Sequence, residues 1–101
     1  ENGGRIIAIS SAASLSRPAG LAAYNASKAA LNAYIETLAK DLKGRAITAN
    51  VLVPTSLDTD ANRKEMPEQR LVKRTNVAEM IALLLSDQAS AVTGQLIGMS
   101  A

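Results

Sequence analysis

Three side chains in the first third of the sequence are of types that together can move a proton to or from an oxygen: Ser11, Tyr24 and Lys28. Tyr24 and Lys28 are four residues apart, which on a helix puts both side chains on one face. A phenol in water holds its proton too tightly to exchange it readily at neutral pH. A nearby ammonium favours the phenolate, so such a pair can deliver or accept a proton near neutrality. A serine hydroxyl beside them can hydrogen-bond a carbonyl oxygen on which charge develops. Singly, these residues mean little: a Tyr-x-x-x-Lys on a helix is ordinarily a packed ring and a solvated ammonium, and a serine after a strand is common. Order and spacing join them. Ser11 follows the run Gly3-Gly4-Arg5-Ile6-Ile7, Tyr24 comes 13 residues later, and Tyr24-Asn25-Ala26-Ser27-Lys28 opens an Ala-rich stretch.

The elements that must position these residues follow from periodicity. Residues 5–10 (RIIAIS) form a short apolar, β-branched run after a Gly-Gly turn and read as a buried strand. Residues 11–20 are small, polar and Pro-containing, hence a loop. Over residues 21–43, Ala30, Leu31, Tyr34, Leu38 and Leu42 recur at helical spacing, and Gly44 is placed to stop the helix. Residues 46–53 (AITANVLV) are a second strand, ended by Pro54. Residues 55–73 are polar and irregular, with one short helix expected around 60–64. Thr75 is expected to cap a helix over 76–86, with Glu79 near its positive end, and 95–99 form a last strand after Thr93-Gly94. Strands alternating with helices predict an α/β fold, part of a doubly wound parallel sheet with right-handed crossovers. Such sheets bind ligands at the carboxyl ends of their strands, where the loops after Ser10 and Val53 lie.

Composition narrows the chemistry further. The 101 residues suffice for one small domain, and at 48% hydrophobic they can bury a core. That core is aliphatic, because Tyr24 and Tyr34 are the only aromatic residues. The net charge is +2 with both signs interspersed, which predicts no nucleic-acid partner. With no Cys and no His, disulfides, thiol nucleophiles, His bases and zinc-finger sites are excluded within this chain. Asp58, Asp60 and Glu65 lack regular ligand spacing, so no metal is expected. No apolar run approaches the roughly 18 residues of a membrane span, which predicts no membrane insertion. Asn25-Ala26-Ser27 matches a glycosylation sequon but falls inside the expected helix. The chain begins at Glu1 rather than Met and runs straight into a strand, as the middle of a longer protein would.

Four segments, GGRIIAISSAAS, YNASKAAL, ITANVLVP and AVTGQLI, each resemble a landmark of the short-chain dehydrogenase/reductase family, in the family's order. The resemblance covers nearly all 101 residues and corresponds to the second half of a typical member. It implies the C-terminal, catalytic portion of a Rossmann-type domain whose dinucleotide-binding half is absent. It also implies a role for each candidate. Ser11 polarises the carbonyl, with Ser10 the alternative that the distance to Tyr24 disfavours. Tyr24 donates or accepts the proton, and Lys28 assists it and holds the nicotinamide ribose. The loop Pro54-Thr55-Ser56-Leu57-Asp58-Thr59 matches the family's Pro-Gly-x-x-x-Thr except at Thr55, which puts the backbone freedom there in question. Pro54, Leu57 and Thr59 join Tyr24 and Lys28 as cofactor-binding candidates, and Thr59 can also cap a helix. The implied cofactor is NAD or NADP, bound by the complete parent. No G-x-G-x-x-G or G-x-x-x-G-x-G occurs in these residues to cradle its pyrophosphate.

The implied partner is a small-molecule substrate, in a cytoplasmic homo-oligomer, dimer or tetramer. A narrower likeness, Leu57-Asp58-Thr59-x-x-Asn62-Arg63-Lys64-x-Met66-Pro67-Glu68, is to dihydropteridine reductases and their bacterial relatives. The competing expectation is a catalytically inactive, truncated interaction module.

Overall fold

Strands separated by long segments cannot pair as hairpins, and they pair parallel through crossovers instead. The structure, a computed structural model that describes residues 3–101, has that form. Residues 1 and 2 of the expected lead-in lie outside the described residues. Strand β1 (Gly4–Ile9) leads through a short helical turn, α1 (Ala13–Ser16), to the long helix α2 (Ala22–Asp41). Strand β2 (Ile47–Pro54) follows, then α3 (Asp60–Glu65), α4 (Arg74–Leu85), a 3-10 turn over Asp87–Ala89, and β3 (Leu96–Met99). The strands form one parallel sheet in the order β1-β2-β3, with Ile9 opposite Leu52 and Leu52 opposite Ile97. This is the α/β arrangement expected from the sequence.

Period-two alternation in β2 divides the core into two layers. Ala49, Val51 and Val53 pack with Ile35 and Ala39 of α2, while Leu52 packs with Val72, Val77, Leu84 and Ala89. Helices thus cover both faces, so β2 is buried along nearly its whole length. Asn50 lies in that buried strand, 1% exposed. Its Nδ2 donates to the Val92 carbonyl at 2.8 Å, and its Oδ1 accepts from the Gln95 N–H at 3.1 Å. The amide thereby fixes the approach to β3.

Several boundaries differ from expectation, each for a local reason. Helix α2 ends at Asp41, earlier than 43, and Gly44 then takes the left-handed φ of 87°. Helix α4 starts at Arg74 rather than 76. Its N-cap is Lys73, whose side chain makes no capping bond, and Thr75 lies in the first turn. The cause is a two-residue parallel bridge between Leu57 and Val72, in which Asp58 N–H donates to Val72 and Val72 N–H to Ser56. It holds the chain extended to Val72, and the helix turns directly from there. The expected loop 11–20 contains α1, with Ser14 buried.

Two outcomes follow. Asn50→Leu strips partners from two partly buried backbone groups, the Val92 carbonyl and the Gln95 N–H, and should cost about 1–3 kcal/mol, measured by urea unfolding of the protein. Among the described residues β1 pairs with β2 alone, leaving its other, apolar edge open. Expressed by itself, the 101-residue chain should self-associate, and sedimentation as a cooperatively folding monomer would contradict this.

Candidate active site

Because β1 and β2 are parallel, the chain leaves both at the same end of the sheet, and their loops meet there. The ladder continues past β1: Ser10 N–H donates to Leu52 at 2.8 Å, and Ala12 N–H to Pro54 at 2.9 Å. These bonds hold residues 10–12 beside the end of β2. Ser11 Oγ accepts from the Ala13 N–H at 3.1 Å, which leaves its own proton to donate elsewhere. Ser10 is 6% exposed, and its hydroxyl is directed at the Lys28 carbonyl, 3.4 Å away.

Tyr24 sits in the first turn of α2, 45% exposed. The i, i+4 spacing brings Lys28 Nζ to 5.8 Å from the centre of the Tyr24 ring. The same ammonium lies 3.5 Å from the Ile9 carbonyl, at the limit of a hydrogen bond, so it spans from α2 to the end of β1.

A cleft of about 560 Å³ opens between these groups and the loop after β2. Ser10, Ser11, Pro18, Leu21 and Tyr24 line one side; Pro54, Thr55, Leu57 and Thr59 line the other. Of the catalytic and cofactor-binding candidates, only Lys28 is not part of the wall. It stands against the ring of Tyr24 instead. All fifteen lining residues are uncharged, so the cleft offers hydroxyls, amides and backbone groups rather than ions. A larger hollow of about 640 Å³ lies at the opposite end of the sheet, beside Lys40, Lys43, Thr48 and Thr93, and contains none of the catalytic or cofactor-binding candidates.

The wall after β2 is braced from within. Thr55 N–H donates to Met99 at 2.9 Å. Among the described residues, Arg17 and Ala46 are the non-glycine positions with positive φ, so Thr55 stands where the family has glycine without a left-handed backbone. Thr59 caps α3, its side chain accepting from the Asn62 N–H at 3.1 Å. The Thr59 hydroxyl proton remains available, so capping and contact with a ligand are compatible. Asn62 Nδ2 donates to the Leu57 carbonyl at 2.8 Å. Asp58 pairs with Arg63 through both carboxylate oxygens, and the hydrogen bond from Arg63 holds its carboxyl below the usual carboxylate range.

Three residues received no role in the site from the sequence. Asn62 and Gln69 line the cleft, and Asn25 is buried with its Nδ2 donating to the Pro18 carbonyl at 3.0 Å. An amide in an otherwise Ala-rich helix start was the available signal for Asn25. An NMR titration should place the Asp58 carboxyl below the ordinary carboxylate range and raise it toward that range in Arg63→Gln.

Comparison with known proteins bears on this geometry. A family model described as "Enoyl-(Acyl carrier protein) reductase" matches residues 1–100. The 3-oxoacyl-(acyl-carrier-protein) reductase of Salmonella typhimurium is 36% identical over 103 residues, covering 91% of this chain and 42% of that protein. The cyclic-di-GMP-binding biofilm dispersal mediator protein of Escherichia coli K12 is 42% identical over 105 residues, covering 93% and 44%. Among solved structures, the 3-ketoacyl-(acyl-carrier-protein) reductase of Brucella melitensis complexed with NADH matches at a TM-score of 0.83 with 29% identity, covering 95% of this chain and 42% of that one. The chain spans less than half the length of these relatives. Family model, relatives and parallel α/β architecture agree, and the chain belongs to the short-chain dehydrogenase/reductase family.

Proposed function

We propose that the complete protein is an NAD(P)-dependent oxidoreductase. It transfers hydride between nicotinamide and a carbonyl, alcohol or imine carbon of a small molecule, as a cytoplasmic homo-oligomer. The observation that carries this reading is the meeting of Ser11 and Tyr24 on one uncharged cleft, with the Lys28 ammonium 5.8 Å from the Tyr24 ring. Ser11 donates to the substrate oxygen, the position where charge develops. Tyr24 gives or takes the proton at that oxygen, or at the nitrogen of an imine, and Lys28 keeps a positive charge beside the phenol.

The residues present fit a dinucleotide. The Thr55 and Thr59 hydroxyls, the Pro54–Thr59 backbone and the Lys28 ammonium are donors suited to ribose hydroxyls and phosphate oxygens, and all but the ammonium border the cleft. When bound, the nicotinamide supplies or accepts the hydride. This chain lacks a glycine-rich pyrophosphate loop, so the 101 residues alone should bind NADH or NADPH weakly or not at all. Calorimetry giving a micromolar dissociation constant for the 101-residue chain would contradict that.

The uncharged lining favours a neutral group at the reacting carbon. The likeness of residues 57–68 to dihydropteridine reductases makes a dihydropteridine one substrate to assay, beside a 3-oxoacyl thioester and a simple ketone. A binding role without catalysis is the second reading. It draws on the E. coli relative named for binding cyclic-di-GMP.

Steady-state rates of the complete protein across pH separate the two. Tyr24→Phe keeps the ring and removes the transferable proton, so kcat should fall by about 10²–10⁴-fold with little change in melting temperature. Lys28→Met, which removes the ammonium 5.8 Å from the Tyr24 ring, should also lower the rate. Ser11→Ala should cost less if the substrate is a dihydropteridine. A Tyr24→Phe rate within about threefold of wild type would be too small for loss of a general acid–base and would favour the binding role.

A further inference from the structure

Asn32 lies one helical turn beyond Lys28 and two beyond Tyr24, at i+4 and i+8 along α2, so the three share one side of the helix. It is 5% exposed, and an amide in such a place costs stability unless its hydrogen bonds are made. Its Nδ2 donates to Ser14 Oγ at 2.8 Å. Ser14, itself 1% exposed, donates its hydroxyl to the Ser11 carbonyl at 2.6 Å. The direction of this chain is set by chemistry. An amide NH₂ can only donate, so Ser14 Oγ accepts it and turns its single proton to Ser11. The Asn32 oxygen is buried without a partner, so the donor end of the side chain is the end in use. Ser11 is therefore gripped at its carbonyl by Ser14 and at its hydroxyl by the Ala13 N–H.

We propose that Asn32, acting through Ser14, is a positioning residue for the reaction. It ties the loop carrying Ser11 to the same helix that carries Tyr24 and Lys28, and so sets where the Ser11 hydroxyl stands relative to the phenol. The proposal rests on the reading of Ser11, Tyr24 and Lys28 given above. It goes beyond that reading by adding two buried residues that touch neither substrate nor cofactor. Misplacement of a reacting group by about 1 Å can cost as much as about 10²-fold in rate, so a displaced Ser11 is visible in kcat.

The test is epistasis with Ser11, measured in the complete protein. Asn32→Leu and, as a smaller change that spares the helix, Ser14→Ala are each made in wild type and in Ser11→Ala. On the wild-type background each should lower kcat by about 10- to 10²-fold, with the KM for the nicotinamide cofactor within about twofold. On the Ser11→Ala background neither should lower kcat further, because nothing is left to position. A purely structural role predicts the same fold-loss on both backgrounds, and that result overturns the proposal. So does a Ser14→Ala variant with wild-type kcat, or a Ser11→Ala variant with an undiminished rate. Tyr24→Phe, run alongside, reports on the site itself. If it too is silent, the reading of the site has failed; if it alone is inactivating, only the positioning role has.

Discussion

Parallel pairing of β1 with β2 determines where every candidate group stands. Ile9 lies opposite Leu52, and the ladder then runs on through the Ser10 and Ala12 amides to Leu52 and Pro54. A slip of one residue would turn Ile6 and Ala8 away from α2 and carry Ser11 to the other face. The register is enforced from both sides, because β2 places Val51 under α2 and Leu52 under α4. The serine loop thus continues a pairing with the buried strand β2, and its geometry inherits the rigidity of that core.

Helix α2 supplies the opposing groups, and it does so with a mixture of exposure and burial along one side. Tyr24 is exposed to the cleft, Lys28 is partly covered and reaches the end of β1, and Asn32 is enclosed. The progression follows the helix as it passes from the rim of the sheet into the core. It allows one element to present a ring to the cleft and to anchor the facing loop from below.

Much of this was legible in the sequence. The element order and parallel α/β class were, because strand and helix periods alternate cleanly. Ser11, Tyr24, Pro54, Leu57 and Thr59 were singled out from spacing and resemblance, and they do border one cleft, with Lys28 behind it. What escaped has physical reasons. The turn α1 is only four residues, Ala13–Ser16, held by tertiary contact and not by propensity. The start of α4 is set by the Leu57–Val72 bridge, a contact between segments 15 residues apart. Asn32 and Ser14 are 18 residues apart, and a polar residue within a helix reads as surface until its partner is known. Asn50, between apolar neighbours, gave no hint of the loop amide and carbonyl it satisfies.

The threonine at position 55 has an effect that lies outside the folded geometry. A glycine there would wander over both halves of backbone conformational space before folding, and would keep some of that freedom in a loop. A β-branched residue with negative φ is confined in both states. The rim of the cleft at this point therefore has little entropy left to surrender when a ligand settles against it, and the cost of ordering the loop falls on folding instead of on binding.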